Sequence, residues 1–121
     1  MAKHIEVGNI GEDLAKQFLE NKGYEILETN WRFGQMELDI IAKDKDVLVF
    51  VEVKTRSSNK IAEPYISVGK RKMRLLVRAA SEYAIRIGHD WEVRFDVLSI
   101  VLNTKTPKIQ HIEDAFYPSW G

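Results

Sequence analysis

The chain has 121 residues, enough for one domain spanning 1–121 with a single core and too few for two. Its formal net charge is zero and its hydrophobic content 45%, which excludes a general polyanion binder, and no apolar run approaches the roughly 18 to 20 residues that cross a bilayer, so no membrane partner is expected. The lack of cysteine rules out disulfides and thiolate metal sites and, with an amino terminus that lacks a secretory signal, points to the cytoplasm.

The helical spacing of Leu14, Ala15, Phe18 and Leu19 predicts a first helix from about Asn9 to Lys22, with Asn9 as cap and Gly23 as stop. Glu12 flanks that apolar stripe, so its carboxylate leans toward the core; a first-turn acid favoured by the helix dipole is the plainer reading of the same residue. Tyr24 to Trp31 predicts a short strand that leads into a loop at Arg32-Phe33-Gly34-Gln35. Met36 to Ala42 and Val47 to Thr55 are the two clearest strands, with a hairpin turn expected in the polar stretch Lys43-Asp44-Lys45-Asp46. Val47-Leu48-Val49-Phe50-Val51 is apolar on both parities, so its strand should be covered on both faces and central in the sheet. A polar loop is expected from Arg56 to Pro64. The stripe Met73, Leu76, Val77, Ala80, Tyr83, Ala84 and Ile87 then predicts a long helix from about Val68 to Ile87, stopped by Gly88. Strand character resumes from Trp91 to Leu102 and, after a turn at 103–107, from Ile109 to Ile112. This order predicts an α/β domain with a central mixed β-sheet flanked by helices.

The two clearest strands carry the chemistry. Side chains alternate across a strand, so Glu37 shares a face with Asp39, and Glu52 shares one with Lys54. An even loop would set Asp39 opposite Phe50 and Glu37 opposite Glu52, which gathers all four groups on one side, whereas a slip of one residue would scatter them. Such a cluster suits phosphodiester hydrolysis, which needs a more basic water and neutralisation of charge on the phosphate, both supplied by a hard divalent cation. Magnesium, or manganese, fits because it takes oxygen ligands and needs few protein carboxylates. Asp39 and Glu52 would be the ligands and the backbone carbonyl of Val53 a third. Lys54 would orient or activate the water, Glu12 would enter directly or through water, and Glu37 would support the ligands from behind. The alternative is an internal salt-bridge network in which Lys54 balances Glu52, but several carboxylates with one lysine leave excess negative charge that desolvation would penalise. The three histidines, His4, His89 and His111, show no ligand spacing for zinc. Trp31, Trp91 and Trp120 read as packing residues.

Basic residues concentrate between Lys54 and Arg78. Arg56, Lys60, Lys70, Arg71, Arg74 and Arg78 could form a phosphate-facing surface, with Lys70, Arg74 and Arg78 recurring every four residues on the second helix. A solvated helix face explains the same run.

Asp39, then Glu52-Val53-Lys54 at the end of an apolar strand, with Glu12 on an upstream helix, resembles the PD-(D/E)XK restriction-endonuclease-like superfamily, and archaeal Holliday-junction resolvases in particular. A closer resemblance is to the YraN-like family of uncharacterised bacterial proteins. It rests on Gly11-Glu12-Asp13-Leu14-Ala15, Gly23-Tyr24-Glu25-Ile26-Leu27, Asn30-Trp31-Arg32, Glu37-Leu38-Asp39-Ile40-Ile41-Ala42, Val49 to Arg56, Arg94-Phe95-Asp96-Val97 and Ile112-Glu113-Asp114-Ala115-Phe116, nearly the whole chain. The resemblance implies a restriction-endonuclease-like fold and a magnesium site at Asp39 and Glu52 with Lys54 catalytic and Glu12 supporting. It implies no substrate. Met36 stands where many members have glycine before the Glu-x-Asp motif; it points away from Glu37, so altered packing is expected there and not a lost ligand.

Three functions compete. One is a metal-dependent nuclease acting on nucleic acid, DNA first, without sequence specificity, since no base-reading motif is present. The others are a nucleic-acid-binding module of the same fold without hydrolysis, and a structural protein whose acids are tied up internally. A homodimer is open as well: the tail Tyr117-Pro118-Ser119-Trp120-Gly121 could pack on a second copy or on its own chain.

Overall fold

The structure, a computed structural model, describes residues 2–56, 70–102 and 105–115. Lys60, most of the expected 56–64 loop, the first residues of the expected second helix, Asn103, Thr104 and the tail from 116 lie outside the described residues. The elements run α1 (Ala2–Asn21), β1 (Glu25–Phe33), β2 (Met36–Asp44), β3 (Val47–Arg56), α2 (Lys70–Arg86), β4 (Val93–Val101) and β5 (Lys108–Ile112). Strand order follows chain order, with β3 and β4 parallel and every other neighbouring pair antiparallel. The protein is thus α/β with a mixed five-stranded sheet, and α2 makes the crossover that joins its two parallel strands. The arrangement fits the restriction-endonuclease-like fold.

The apolar patterns explain the layers. Ala15 and Leu19 of α1 pack with Ile40, Ala42, Val49, Val51, Leu98 and Ile100 on one face of the sheet. Leu76, Ala79, Ala80, Tyr83 and Ala84 of α2 pack with Ile41, Leu48, Phe50 and Phe95 on the other. β3 is the third of five strands and feeds both clusters, which is why its apolar run needs no alternation. Both helices stop where glycine permits a left-handed residue. Gly23 has φ 95° and Gly88 φ 70°, and each is bracketed by the reciprocal bonds of a Schellman motif: Tyr24 N–H to Leu19 C=O and Gly23 to Glu20 in α1, His89 to Ala84 and Gly88 to Ile85 in α2.

Three expectations are corrected. Helix α1 begins at Ala2, so Asn9 is an interior residue and no cap; no proline interrupts the segment before it, and an internal glycine costs only about 1 kcal/mol. The loop expected at Arg32-Phe33-Gly34-Gln35 shrinks to a two-residue turn, because Phe33 still pairs with Met36 and stacks on Trp31, and Gly34 takes φ 61°. The β2–β3 turn is Lys45-Asp46 alone, with φ 57° at Lys45, so Asp44 pairs with Val47 and Ile41, not Asp39, lies opposite Phe50. The register is therefore two residues from the one expected. A shift of two conserves side-chain parity over the paired residues, and Asp39 and Glu37 lie past the last pair, Ile40 with Val51.

Candidate functional site

The β2–β3 ladder ends at Ile40 and Val51. Past that point β2 stays paired with β1 as far as Met36, while β3 stays paired with β4 as far as Arg56, so the two strands part and leave a gap. Alternation along β2 breaks at the same place: Leu38 joins Ile41 in the α2-side cluster although three residues separate them, which marks a turn of the strand about Asp39. Asp39 is the first residue past the split, and the count of the ladder sets it against Glu52. Its Oδ2 accepts the Val53 N–H at 2.8 Å, so the carboxylate serves an amide that the ladder has left behind. The N–H and C=O of one strand residue leave on the same side, so the Val53 carbonyl faces this gap as well.

A cavity of about 160 Å³ opens here, lined by Glu37, Asp39, Glu52 and Lys72 with Met36, Leu76 and Phe95 among its apolar walls. At about 30 Å³ per water, it has room for a hydrated ion or a single phosphate group, and it is well below the roughly 300 Å³ at which pockets for organic ligands begin. Glu52 Oε2 lies 3.0 Å from Lys54 Nζ and 3.7 Å from Lys72 Nζ. Glu37 lies 3.7 Å from Arg32 Nε. Among the described residues no ammonium or guanidinium is paired with Asp39. Burial pushes its carboxyl up to about 6, and the charges of Glu12, Glu52 and Glu37 add to the rise against the lowering effect of the Val53 amide.

Glu12 reaches the site because α1 lies close on β3. A Cβ on Gly11 would overlap the Thr55 side chain, 2.8 Å from Cγ2, so only glycine lets the helix sit this low. The next residue, Glu12, is thereby carried to the open end of the strands, where Asn30 Nδ2 donates to its Oε1 at 3.1 Å. Asn30 has φ 54°, a conformation asparagine tolerates better than most residues.

Of the residues singled out in the sequence, the structure brings Asp39, Glu52, Val53 and Glu37 around one gap, with Lys54 on Glu52 and Glu12 close enough to perturb Asp39. Among the described residues, no three acid or imidazole groups converge tightly enough to ligate one ion. The carboxylates of Asp39 and Glu52 line one cavity, with the Val53 backbone beside them. Lys70, Arg71, Arg74 and Arg78 are exposed on α2, and Arg56 is half-buried at the end of β3. Arg74 and Arg78 each stand two residues from buried Leu76, about 200° around the helix, and so face away from the cavity. The lysine of α2 that lines it is Lys72, four residues before Leu76 on the same stripe. That spacing was a usable signal in the sequence. Asn30 carried none beyond its type.

These strands, helices and pocket define an α/β domain of restriction-endonuclease-like architecture with an acidic, phosphate-sized cavity where its sheet splits. The family model that matches, the uncharacterised protein family UPF0102, covers residues 11–100. A UPF0102 protein of Flavobacterium psychrophilum is 50% identical over 117 residues, spanning 97% of this chain and 98% of its own. One from Alkaliphilus oremlandii is 46% identical over 114 residues, spanning 92% and 97%, and one from Bacteroides thetaiotaomicron 44% over 118, spanning 98% of each. The chain belongs to the UPF0102 family, the YraN-like group its motifs resemble. The family name carries no activity.

Proposed function

We propose that the protein is a metal-dependent phosphodiesterase acting on nucleic acid, DNA foremost, without sequence specificity. The observation that carries this reading is Asp39: a half-buried carboxylate, pushed up to about 6, facing three other acids and no paired cation among the described residues. Such a group is ionised at neutral pH at a cost to stability, and a bound positive charge would offset that cost. Asp39, Glu52 and the Val53 carbonyl would hold a magnesium or manganese ion, with Glu12 reaching it through water and Glu37 supporting from the rim. A bound ion of this kind supplies Lewis acidity and lowers the pKa of its water. Lys54, 3.0 Å from Glu52, would hold the attacking water and neutralise charge developing on the phosphate. The Val53 N–H fixes the Asp39 carboxylate so that only one of its oxygens needs to turn toward the ion. Access to nucleic acid makes the cytoplasm the compartment of this reading, and no helix among the described residues is long and apolar enough to cross a membrane.

One observation favours a binding module instead. Glu52 already has two lysine ammoniums on one oxygen, an internal balance that needs no metal. The two readings part in a single experiment: purified protein with magnesium or manganese is incubated with flap, branched and single-stranded DNA and with RNA, beside Glu52→Ala and Lys54→Ala. Metal-dependent cleavage that both substitutions abolish supports the nuclease. Salt-sensitive binding without cleavage by the wild type supports the module.

A further inference from the structure

Resting on the phosphodiester reading of the same pocket, we infer that Lys72 is a phosphate-contacting residue, which grips a nonbridging oxygen of the nucleic-acid backbone from the helix side while Lys54 works from the strand side. Lys72 is the α2 cation among the residues that line the cavity with Glu37, Asp39 and Glu52. Its ammonium stands 3.7 Å from Glu52 Oε2, beyond hydrogen-bond length, and its side chain is 46% exposed. A pair of that length and exposure contributes little to folding. Lys54 already holds the same oxygen at 3.0 Å, so the second ammonium is redundant as a counter-ion to Glu52 and is repelled by the first. An anionic oxygen between the two lysines would relieve that repulsion and take up the donors Lys72 has to spare. The first turn of α2 agrees: it holds Lys70, Arg71 and Lys72 with no acid, the reverse of what the helix dipole favours. The cavity has room for a phosphate group, and a contact to a phosphate oxygen carries no sequence preference.

The test is equilibrium binding of a fluorescein-labelled flap DNA in calcium buffer, over a series of sodium chloride concentrations, to wild type, Lys72→Met, Lys72→Arg and Arg78→Gln. Magnesium binding to each protein without DNA is followed by calorimetry. Lys72→Met should bind the DNA about tenfold more weakly, with the slope of log affinity against log salt shallower by about one. Lys72→Arg should regain most of the loss. Arg78→Gln, on the far side of the helix, should lower affinity less than Lys72→Met does. Magnesium affinity of Lys72→Met should hold or rise, because a positive charge has left the pocket. Wild-type affinity and slope in Lys72→Met would overturn the inference and leave Lys72 as a counter-ion to Glu52. If the lysine effects appear but no protein takes up magnesium or cleaves, the nuclease reading fails and the phosphate contact stands. If the wild type binds no DNA at all, both fall.

Discussion

Asp39 and Asp96 are aspartates on two strands of one sheet, the first half-buried and the second buried, and they keep opposite company. Asp96 is 1% exposed and has every lone pair engaged: Arg94 donates to both oxygens at 2.9 Å, His111 Nε2 lies 2.7 Å from Oδ2, and the Asp114 N–H reaches Oδ1 at 3.0 Å. Burial alone would raise its pKa, but the bonds from His111, Arg94 and Asp114 overcome that and hold it below the usual range. Arg94 is itself shared with Tyr24 and Asp44, and Lys22 Nζ lies 2.7 Å from His111 Nδ1, which leaves Nε2 to donate toward Asp96. Asp39 has one amide and a ring of acids, and its pKa moves the other way. The difference separates two uses of a buried charge. One is compensated within the chain and ties β4 to β5 and to the segment after it; the other is left short of positive charge at the mouth of a cavity.

The largest effect should come from the compensated member. Asp96→Ala takes the bidentate partner from a guanidinium that is only 11% exposed and leaves it Tyr24 with the longer pairs to Asp44 and Glu113, and loss of one partner of such a pair costs about 3–5 kcal/mol. Urea denaturation should show that loss at neutral pH. A change under 1 kcal/mol would mean that the Arg94 network is solvated and that the contrast with Asp39 is not one of compensation.

Asp39→Asn should act in the opposite direction. The amide oxygen can still accept the Val53 N–H, while the uncompensated charge disappears. The folded carboxyl is raised to about 6 from a reference of 3.8, so the folded state holds the proton more tightly than the unfolded chain. The stability this gives is present in full below the unfolded value and is lost as pH rises through the folded one. Without metal, the wild type should therefore lose on the order of 2 kcal/mol between about pH 4 and pH 7, at about 1.36 kcal/mol per pKa unit, and Asp39→Asn should escape that loss. Melting curves taken across this range with a chelator decide it: parallel curves for the two proteins would refute the shift. Magnesium should then raise the melting temperature of the wild type alone.

How far this contrast could be read in advance depended on range. Helix ends at Gly23 and Gly88, the two-sided apolar run of β3 and the period of α2 are local signals, and each reappears in the fold. The nearness of Asp39 to Glu52 was legible because the two strands of one hairpin carry them; the register was not, since Lys43-Asp44-Lys45-Asp46 is polar throughout and any two of its residues could turn. The split of β2 from β3 depends on packing across the sheet and left no local mark. The role of Asp96 was hidden for the same reason: its partner His111 is 15 residues away on a neighbouring strand, where spacing rules have no reach.

Gly11→Ala tests how Glu12 is brought into the ring of acids. The new methyl meets Thr55, which costs about 1–3 kcal/mol if the helix must lift, offset by about 1 kcal/mol from alanine's better helix propensity. The expected net loss is about 1 kcal/mol by chemical denaturation. The rise of Glu12 away from the sheet should also lower the pKa of Asp39, so the acid limb of the wild-type pH profile should shift down. An unchanged profile would show that Glu12 does not act on Asp39.

Asn30→Gly should disturb folding least and is the finest probe of the same ring. Glycine accepts the φ of 54° that asparagine now holds, so the backbone keeps its course through β1, and the lost side chain makes an exposed bond. Stability should stay within about 0.5 kcal/mol of the wild type. Glu12 would lose the donor that holds its Oε1, and the loss of an orienting partner behind a metal site costs about tenfold in affinity at the lower end of its usual range. Magnesium titrations followed by melting temperature should therefore need about tenfold more metal for the same shift, while the chelated protein melts as before. If the titration is unaltered, Glu12 stands outside the ion's reach, and the uncompensated side of the comparison narrows to Asp39 with Glu52 and Glu37.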